Sequence, residues 1–561
     1  MRRFAAAVLA SLIAAPAVPQ QQPQQTFFSE TIEVRVINVD VIVTKDGHPV
    51  TGLTKDDFQL FEDGKPQEIT NFLEARGEEP KAAASQQQPG VAPQTPPADR
   101  RARNVVIFVD STSITPFTRN RVFAPMEEFL RRTMRDGDHV MLITWSPGIK
   151  VELPFTNDVE EAAKTLGRLV GTVTTGTLAQ THEKLAQEEI TKMVGDRAMN
   201  RERDIVERPN IRDGILAAQN HATQLAFDQA QRVEAIKSVL ASLRGLNGRN
   251  SMVMLTNELS TNPALPIFMF LDAVKENFDE AYTYNANNEA KRFEQPALVK
   301  EIADVANSIG VTLYPISPSG LGGAFGPDEV AKNGSGQTRR DAQKEDGLLT
   351  LRQIATATGG PALTSSNNFD LAFNTLAQDM ASYYSLGYHT EGQRKDAVRS
   401  ISVKLRKKGY EVRTREAFVE RSTNSEMEDA VAANLLYPVS KNDLSVSLSK
   451  AGAPTTSDQQ VVVPVFIHIP TSGLTLIPDG KDLVGQFSSY TAFMRRDGKV
   501  SEVKHQQHQL RFPADSLKRR KEITVKYDLA IDDKTDDVSV GIMDDTSHVT
   551  GFARLQIKEA S

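Results

Sequence analysis

The sequence predicts an α/β protein: a mainly parallel central sheet, flanked on both sides along the chain by β-sandwich-like units. Three observations predict it. Short, continuous apolar runs (Val105 to Val109, Val140 to Ile143, Met252 to Leu255) alternate with helical stretches between residues 104 and 390. Such runs are expected of strands covered on both faces, and βα repeats of this kind build parallel sheets. Before and after that region the pattern changes to period-2 alternation with turn residues, as in antiparallel β structure. A Pro- and Gln-rich stretch separates the first β region from the α/β region.

The elements follow in chain order. Met1 to Ala17 reads as a signal peptide: Arg2 and Arg3 precede the apolar run Phe4 to Ala15, and Ala15-Pro16-Ala17 offers a cleavage site. The run is shorter than the roughly 20 residues of a membrane span. Residues 30–75 form an N-terminal β unit. Ile32, Val34 and Val36 alternate in one phase and Ile37, Val39, Val41 and Val43 in the other, which predicts a β-bulge. Residues 76–103 are read as a disordered linker. Residues 104–390 hold the α/β domain, with a polar helical insert at about 179–245 and a Gly-rich loop between Pro318 and Asp346. Residues 398–419 form a β strand pair, and 434–561 a second β-sandwich-like domain.

Composition narrows the chemistry. The chain has 561 residues, a formal net charge of −7 and no cysteine. Cleavage after Ala17 would remove Arg2 and Arg3 and bring −7 to −9. The lack of cysteine excludes disulfides, Cys-ligated metals and thiol nucleophiles. An acidic balance with few aromatics speaks against nucleic acid as the main partner.

Oxygen-bearing residues stand where the apolar runs end. Asp110 follows VVIFV and opens Asp110-Ser111-Thr112-Ser113-Ile114; Thr177 lies in a Gly-Thr loop; Asn257 follows MVMLT. Carboxylates and hydroxyls at strand ends are hard ligands suited to Mg²⁺ or Ca²⁺, and ligands bind at the carboxyl ends of parallel strands. Equally, an Asp ending a strand serves as a turn or cap residue. No G-x-S-x-G, P-loop, dinucleotide fingerprint or H-E-x-x-H is present.

Together, VVIFVDSTSI, TTGTLAQ and VMLTNELS resemble, in order, the three segments of the metal-ion-dependent adhesion site in the von Willebrand factor A (vWA) family. IEVRVINVDVIVTKDGHPVTGLTKDDFQLFEDGKPQEITNF, ATATGGPALTSSNNFDLAFNTLAQDMASYYSLGYH and VRSISVKLRKKGYEVRTREAF extend the resemblance to exported bacterial vWA-related proteins, over about residues 30–420. The resemblance implies a Rossmann-like fold with a site on top of the sheet, at Asp110, Thr112, Thr177 and Asn257. The match is incomplete. Ile114 stands where the motif has a second Ser, and Asn257 where it has Asp. Two states follow for this degenerate site: no cofactor, or weakly bound Mg²⁺ or Ca²⁺.

The expected function is that of an exported, non-enzymatic protein-binding or adhesion-type scaffold, engaging another protein or a cell-envelope component, in the periplasm, at the surface or secreted. The alternative is an envelope hydrolase with an unrecognised carboxylate or metal site. For the insert, two placements remain: a solvated hairpin near the ligand edge, or docking through the stripe Ile190, Met193 and Val194.

Overall fold

The computed structural model describes residues 36–75, 102–389, 396–436 and 442–557, except 147, 173–175, 195–210, 247, 258, 275–283, 320–333, 362, 364–367, 453–454, 458–459, 496–499, 518–520 and 532–534. The signal-peptide reading, most of the linker, Ile32 and Val34 lie outside the described residues.

The central sheet has five strands in the order Val311–Ile316, Arg249–Leu255, Arg103–Asp110, His139–Trp145 and Ile149–Thr156. The first four are mutually parallel and the last is antiparallel. Every residue of Arg103–Asp110 is buried. Its odd residues Val105, Ile107 and Val109 pack with Phe123, Phe129, Leu166 and Phe373, from helices Pro116–Thr133, Val159–Val170 and Phe369–Ala381. Its even residues Val106 and Phe108 pack with Val233, Ile236, Ile302 and Ile354, from helices Ile211–Ser242, Pro296–Ile309 and Gly334–Ala357. Both faces are therefore covered, and the uninterrupted apolar runs follow from that.

Local signals set the helix ends. Thr115 caps Pro116–Thr133 and Asp158 caps Val159–Val170. Gly310, at φ 70°, stops Pro296–Ile309 in the left-handed conformation. The helix Gly334–Ala357 begins within the segment expected to be a Gly-rich loop.

The first β region closes differently from the sequence expectation. Strand Val36–Lys45 pairs with Tyr383–His389 and Glu411–Arg413, and Asn71–Ala75 pairs with the other side of Tyr383–His389. Tyr383–His389, read from sequence as the close of the α/β domain, belongs to this sheet. A second sheet, Lys65–Gln67, Phe58–Glu62, Val398–Leu405 and Ala417–Val419, completes the unit. Both sheets share a core of Val39, Val41, Leu60, Tyr384, Leu386, Ile401 and Phe418. So residues 36–75 and 398–419 are one structure around one core. The register from Val36↔His389 to Val41↔Tyr384 is unbroken, so the described part of the first strand carries no bulge.

Two further sheets lie near the C-terminus. Gln460–Pro470 is central to one and Asp482–Arg495 to the other, and Val465, Ile467, Phe487 and Val540 share their core. Asn434, expected to start this β region, sits instead in helix Thr423–Leu436. That helix lays Met427, Val431 and Leu435 on Tyr490 and Phe552.

Candidate functional site

Strand Arg103–Asp110 delivers Asp110 to the carboxyl end of the sheet, where its side chain is 0% exposed. The segment beyond it curls around the carboxylate. Oδ1 accepts the Thr112 hydroxyl at 2.6 Å, the Thr112 amide at 3.0 Å and the Ser113 amide at 3.3 Å. Oδ2 accepts the Thr256 hydroxyl at 2.7 Å. Arg232, from the long helix Ile211–Ser242, places Nε 3.1 Å from the same oxygen. A buried carboxylate needs hydrogen bonds and a counter-charge, and this cluster supplies both.

Arg232 is itself held on several sides. Nη1 donates to Gln229 Oε1 at 2.9 Å and Nη2 to the Thr112 hydroxyl at 3.3 Å. Gln229 donates onward to the Ser260 carbonyl at 2.8 Å. The guanidinium carbon stands 5.6 Å from the Trp145 ring centre.

The four predicted residues do not all meet. Thr112 is bonded to Asp110. Asn257 is turned elsewhere: its Nδ2 donates to the Ser113 carbonyl at 3.0 Å, and its Oδ1 accepts from Ser317 Oγ at 3.2 Å and Ser319 N at 2.9 Å. It ties three strand-end segments together. Thr177 is the second residue of helix Gly176–Val194, with an exposed side chain. The helix is brought close by Gly176, whose amide donates to the Ser111 carbonyl at 3.0 Å. A Cβ on Gly176 would stand 2.3 Å from the Ile114 carbonyl oxygen, so only glycine allows this approach.

With Arg232 in place, a divalent ion does not fit this donor set. Asp110 is its sole carboxylate, both oxygens are engaged, and a cationic side chain already stands against it. Asn257 Oδ1 faces Ser317 and Ser319. Among the described residues no group of three or more His, Asp or Glu side chains is placed to hold a metal. Glu258, beside Asn257, lies outside the described residues.

Sequence reasoning missed Arg232 and Thr256. The signal for Arg232 was present. Gln229 and Arg232 continue the buried stripe of Val233, Ile236, Val239 and Leu240 at helical spacing, so two polar side chains occupy core-facing positions.

The helical insert reaches this end of the sheet through Arg232 of helix Ile211–Ser242. Ile211 to Arg232 spans about 20 residues, so the long helix runs roughly 30 Å beyond Arg232. Ile190 and Val194 dock against Ile215, Ala218, Phe268 and Leu271. The insert therefore packs through its apolar stripe. On the solvent side, Leu178 and Leu185 are exposed seven residues apart, as are Leu216 and Phe227 eleven apart. Each spacing repeats one face of a helix. Phe117, four residues from the Ser113 that caps Asp110, is 71% exposed.

Histidines and carboxylates elsewhere in the chain have their own partners. His505 stacks on Tyr490 at 4.5 Å and His508 on Phe487 at 4.7 Å, three positions apart and so of opposite strand parity. Burial lowers the pKa of His508. Asp379 is gripped by Arg413, at 2.7 and 2.8 Å, and Asp537 by Arg554 at 2.9 Å. Gly320 to Gly323 and Lys518 to Arg520 lie outside the described residues. Ser449 Oγ stands 2.8 Å from His468 Nε2, and His468 Nδ1 3.1 Å from Glu522 Oε1.

No family model and no curated protein matches the chain. Solved structures do. Proximal thread matrix protein 1 from the mussel byssus is 12% identical, with a TM-score of 0.22, over 50% of this chain and 48% of that one. The match thus spans about half of that protein's length. The conserved hypothetical protein BatB from Bacteroides thetaiotaomicron is 11% identical, TM-score 0.21, over 50% of this chain and 97% of that one. The vWF domain of the type V pili tip protein Mfa5 from Porphyromonas gingivalis is 12% identical, TM-score 0.23, over 50% of this chain and 94% of that one. At these identities and scores the site has to be read from its own residues. Among the described residues, no helix is long and apolar enough to cross a membrane.

Proposed function

We propose that this chain is an exported, non-enzymatic protein-binding scaffold of the adhesion type. In this reading a Rossmann-like vWA domain, flanked by β-sandwich-like units, presents its partner surface at the carboxyl end of the sheet. The observation that carries the reading is the character of that end. Its strand-end carboxylate is closed by an arginine and hydroxyls, and large apolar side chains are exposed on helix Pro116–Thr133 (Phe117) and on the helices of the insert (Leu178, Leu185, Leu216 and Phe227). Exposed apolar side chains repeated along one helix face are the material of interaction surfaces, whereas a reactive centre needs a nucleophile, base and orienter in reach of one another.

The test is capture of partners from envelope extracts by the full chain, with and without EDTA. The reading expects wild type to capture the same partner in both, and Leu178→Asp/Leu185→Asp to lose it while keeping the wild-type melting temperature. Capture abolished by EDTA, or retained by the double variant, overturns it. The periplasmic, surface or secreted address belongs to the same proposal and rests on the leader-like Met1 to Ala17.

One cluster favours a hydrolase as a second reading. Ser449, His468 and Glu522 have the spacing of nucleophile, base and orienting acid. Against it, Glu522 is exposed, and the backbone beside Ser449 is committed to the ladder pairing Ser447–Lys450 with Val465–His468. Labelling by a fluorophosphonate probe that Ser449→Ala abolishes would establish the second reading; no labelling removes it.

A further inference from the structure

We infer that Arg232 is the resident cation of the strand-end site: its guanidinium takes the position against Asp110 that a dissolved metal ion would otherwise have to fill. The inference rests on reading this cluster as the site of the proposed scaffold, and it deepens that reading by stating what the site takes instead of metal.

Three observations carry it. Asp110 is fully buried, so a counter-charge is required there and solvent cannot supply one. Arg232 supplies it at 3.1 Å, and its own side chain is 9% exposed. The guanidinium also reaches the hydroxyl of Thr112, one of the oxygens expected to serve a metal, at 3.3 Å. That hydroxyl donates to Asp110 and accepts from Arg232, so it links the anion and the cation. The cation is held in place by covalent attachment to a helix whose following residues, Val233, Ile236 and Leu240, are sealed in the core. Chelators cannot extract it, and divalent ions meet a site whose charge is already balanced.

The cation can be removed and returned from solution. Arg232→Ala leaves the Asp110 carboxylate among the Thr112 and Thr256 hydroxyls, beside a space shaped by a guanidinium group. A ligand that binds only the folded state raises the melting temperature. The experiment is a series of thermal melts on the full chain with EDTA, MnCl₂ or methylguanidinium chloride at millimolar concentration, with NaCl as the ionic control. Wild type is expected to melt at one temperature in all four. Arg232→Ala is expected to melt lower, and to recover about half or more of the loss with methylguanidinium or Mn²⁺ but not with NaCl. A wild-type melting temperature that moves with EDTA or Mn²⁺, or an Arg232→Ala protein that neither cation stabilises, overturns the inference.

Should Arg232→Ala fail to fold, Arg232→Gln is compared with Arg232→Gln/Asp110→Asn. A resident counter-ion predicts that the double variant melts higher, because the second change removes an uncompensated charge. A lower melting temperature of the double variant overturns the inference. These melts contain no partner, so their failure is distinguishable from a failure of the capture experiment.

Discussion

Asp110 and Asp379 are both buried and both face arginine, at opposite ends of the same central sheet. Asp110, at the carboxyl end, is satisfied from within the α/β region: two hydroxyls, two amides and one guanidinium. Asp379, at the amino end, is held by the fork of Arg413, which comes from the β unit formed by residues 36–75 and 398–419. Its own carbonyl accepts Arg249 at 2.6 Å, and Arg249 lies 4.4 Å from the Tyr383 ring centre. The same pair of charges thus closes a site at one end and joins two cores at the other. Where an arginine comes from, more than its distance, decides which of these it does.

The comparison can be broken most sharply at Asp379. Asp379→Ala leaves Arg413 without its fork partner and should destabilise the chain by about 3–5 kcal/mol in urea titrations, as loss of one member of a buried pair does. It should also expose the β unit to proteolysis. A loss under about 1 kcal/mol would mean that the two cores do not depend on this clamp. At the other end, Gly176→Ala forces a methyl against the Ile114 carbonyl. It should cost about 1–3 kcal/mol by overpacking, with the β unit staying protease-resistant. If both variants open the same region first, the two ends are not independent.

The smallest effect concerns a third carboxylate. Asp429 stands 3.8 Å from Arg244 and 2.9 Å from Arg421, and burial outweighs both in raising its pKa. A raised carboxylate favours the folded state fully below the unfolded value of 3.8, and that contribution is lost as pH rises through the folded value. Asp429→Asn should therefore equal or exceed wild type in melting temperature at neutral pH and lose that advantage below pH 3.8. The opposite trend would place Asp429 with the well-compensated carboxylates.

Much of the α/β region was legible because four of its strands are buried on both faces. Nothing polar interrupts Val105 to Val109 or Met252 to Leu255. The antiparallel edge strand Ile149–Thr156 was not legible, since three of its first residues are exposed and Pro154 interrupts it. Asp110 and Thr112 could be picked out because a carboxylate directly after an apolar run is conspicuous. Arg232 lies about 120 residues away in a polar helical stretch, and no local rule links it to Asp110. The role of Asn257 was hidden for a similar reason, because its bonds go to Ser113, Ser317 and Ser319, which only the folded sheet brings near. The closure of the first β region was out of reach of short-range patterns: the bond from Leu53 N to Tyr384 Oη spans 331 residues.

That long bond bears on the order of assembly. Strand Val36–Lys45 is made early, but its neighbour Tyr383–His389 appears only after the whole α/β region between them. During synthesis, the early strand, paired locally only at Thr44 and Lys45 with His48–Pro49, has to wait with most of its length unpaired while some 300 residues emerge, and such edges invite pairing with other chains. The α/β region, whose sheet contacts fall between residues 103 and 316, can be completed first. Once it folds, Arg249 already holds the backbone of Asp379 beside the sheet, and the next strand starts four residues later, at Tyr383. The α/β region would then serve as the jig on which strand Val36–Lys45 finds its partner.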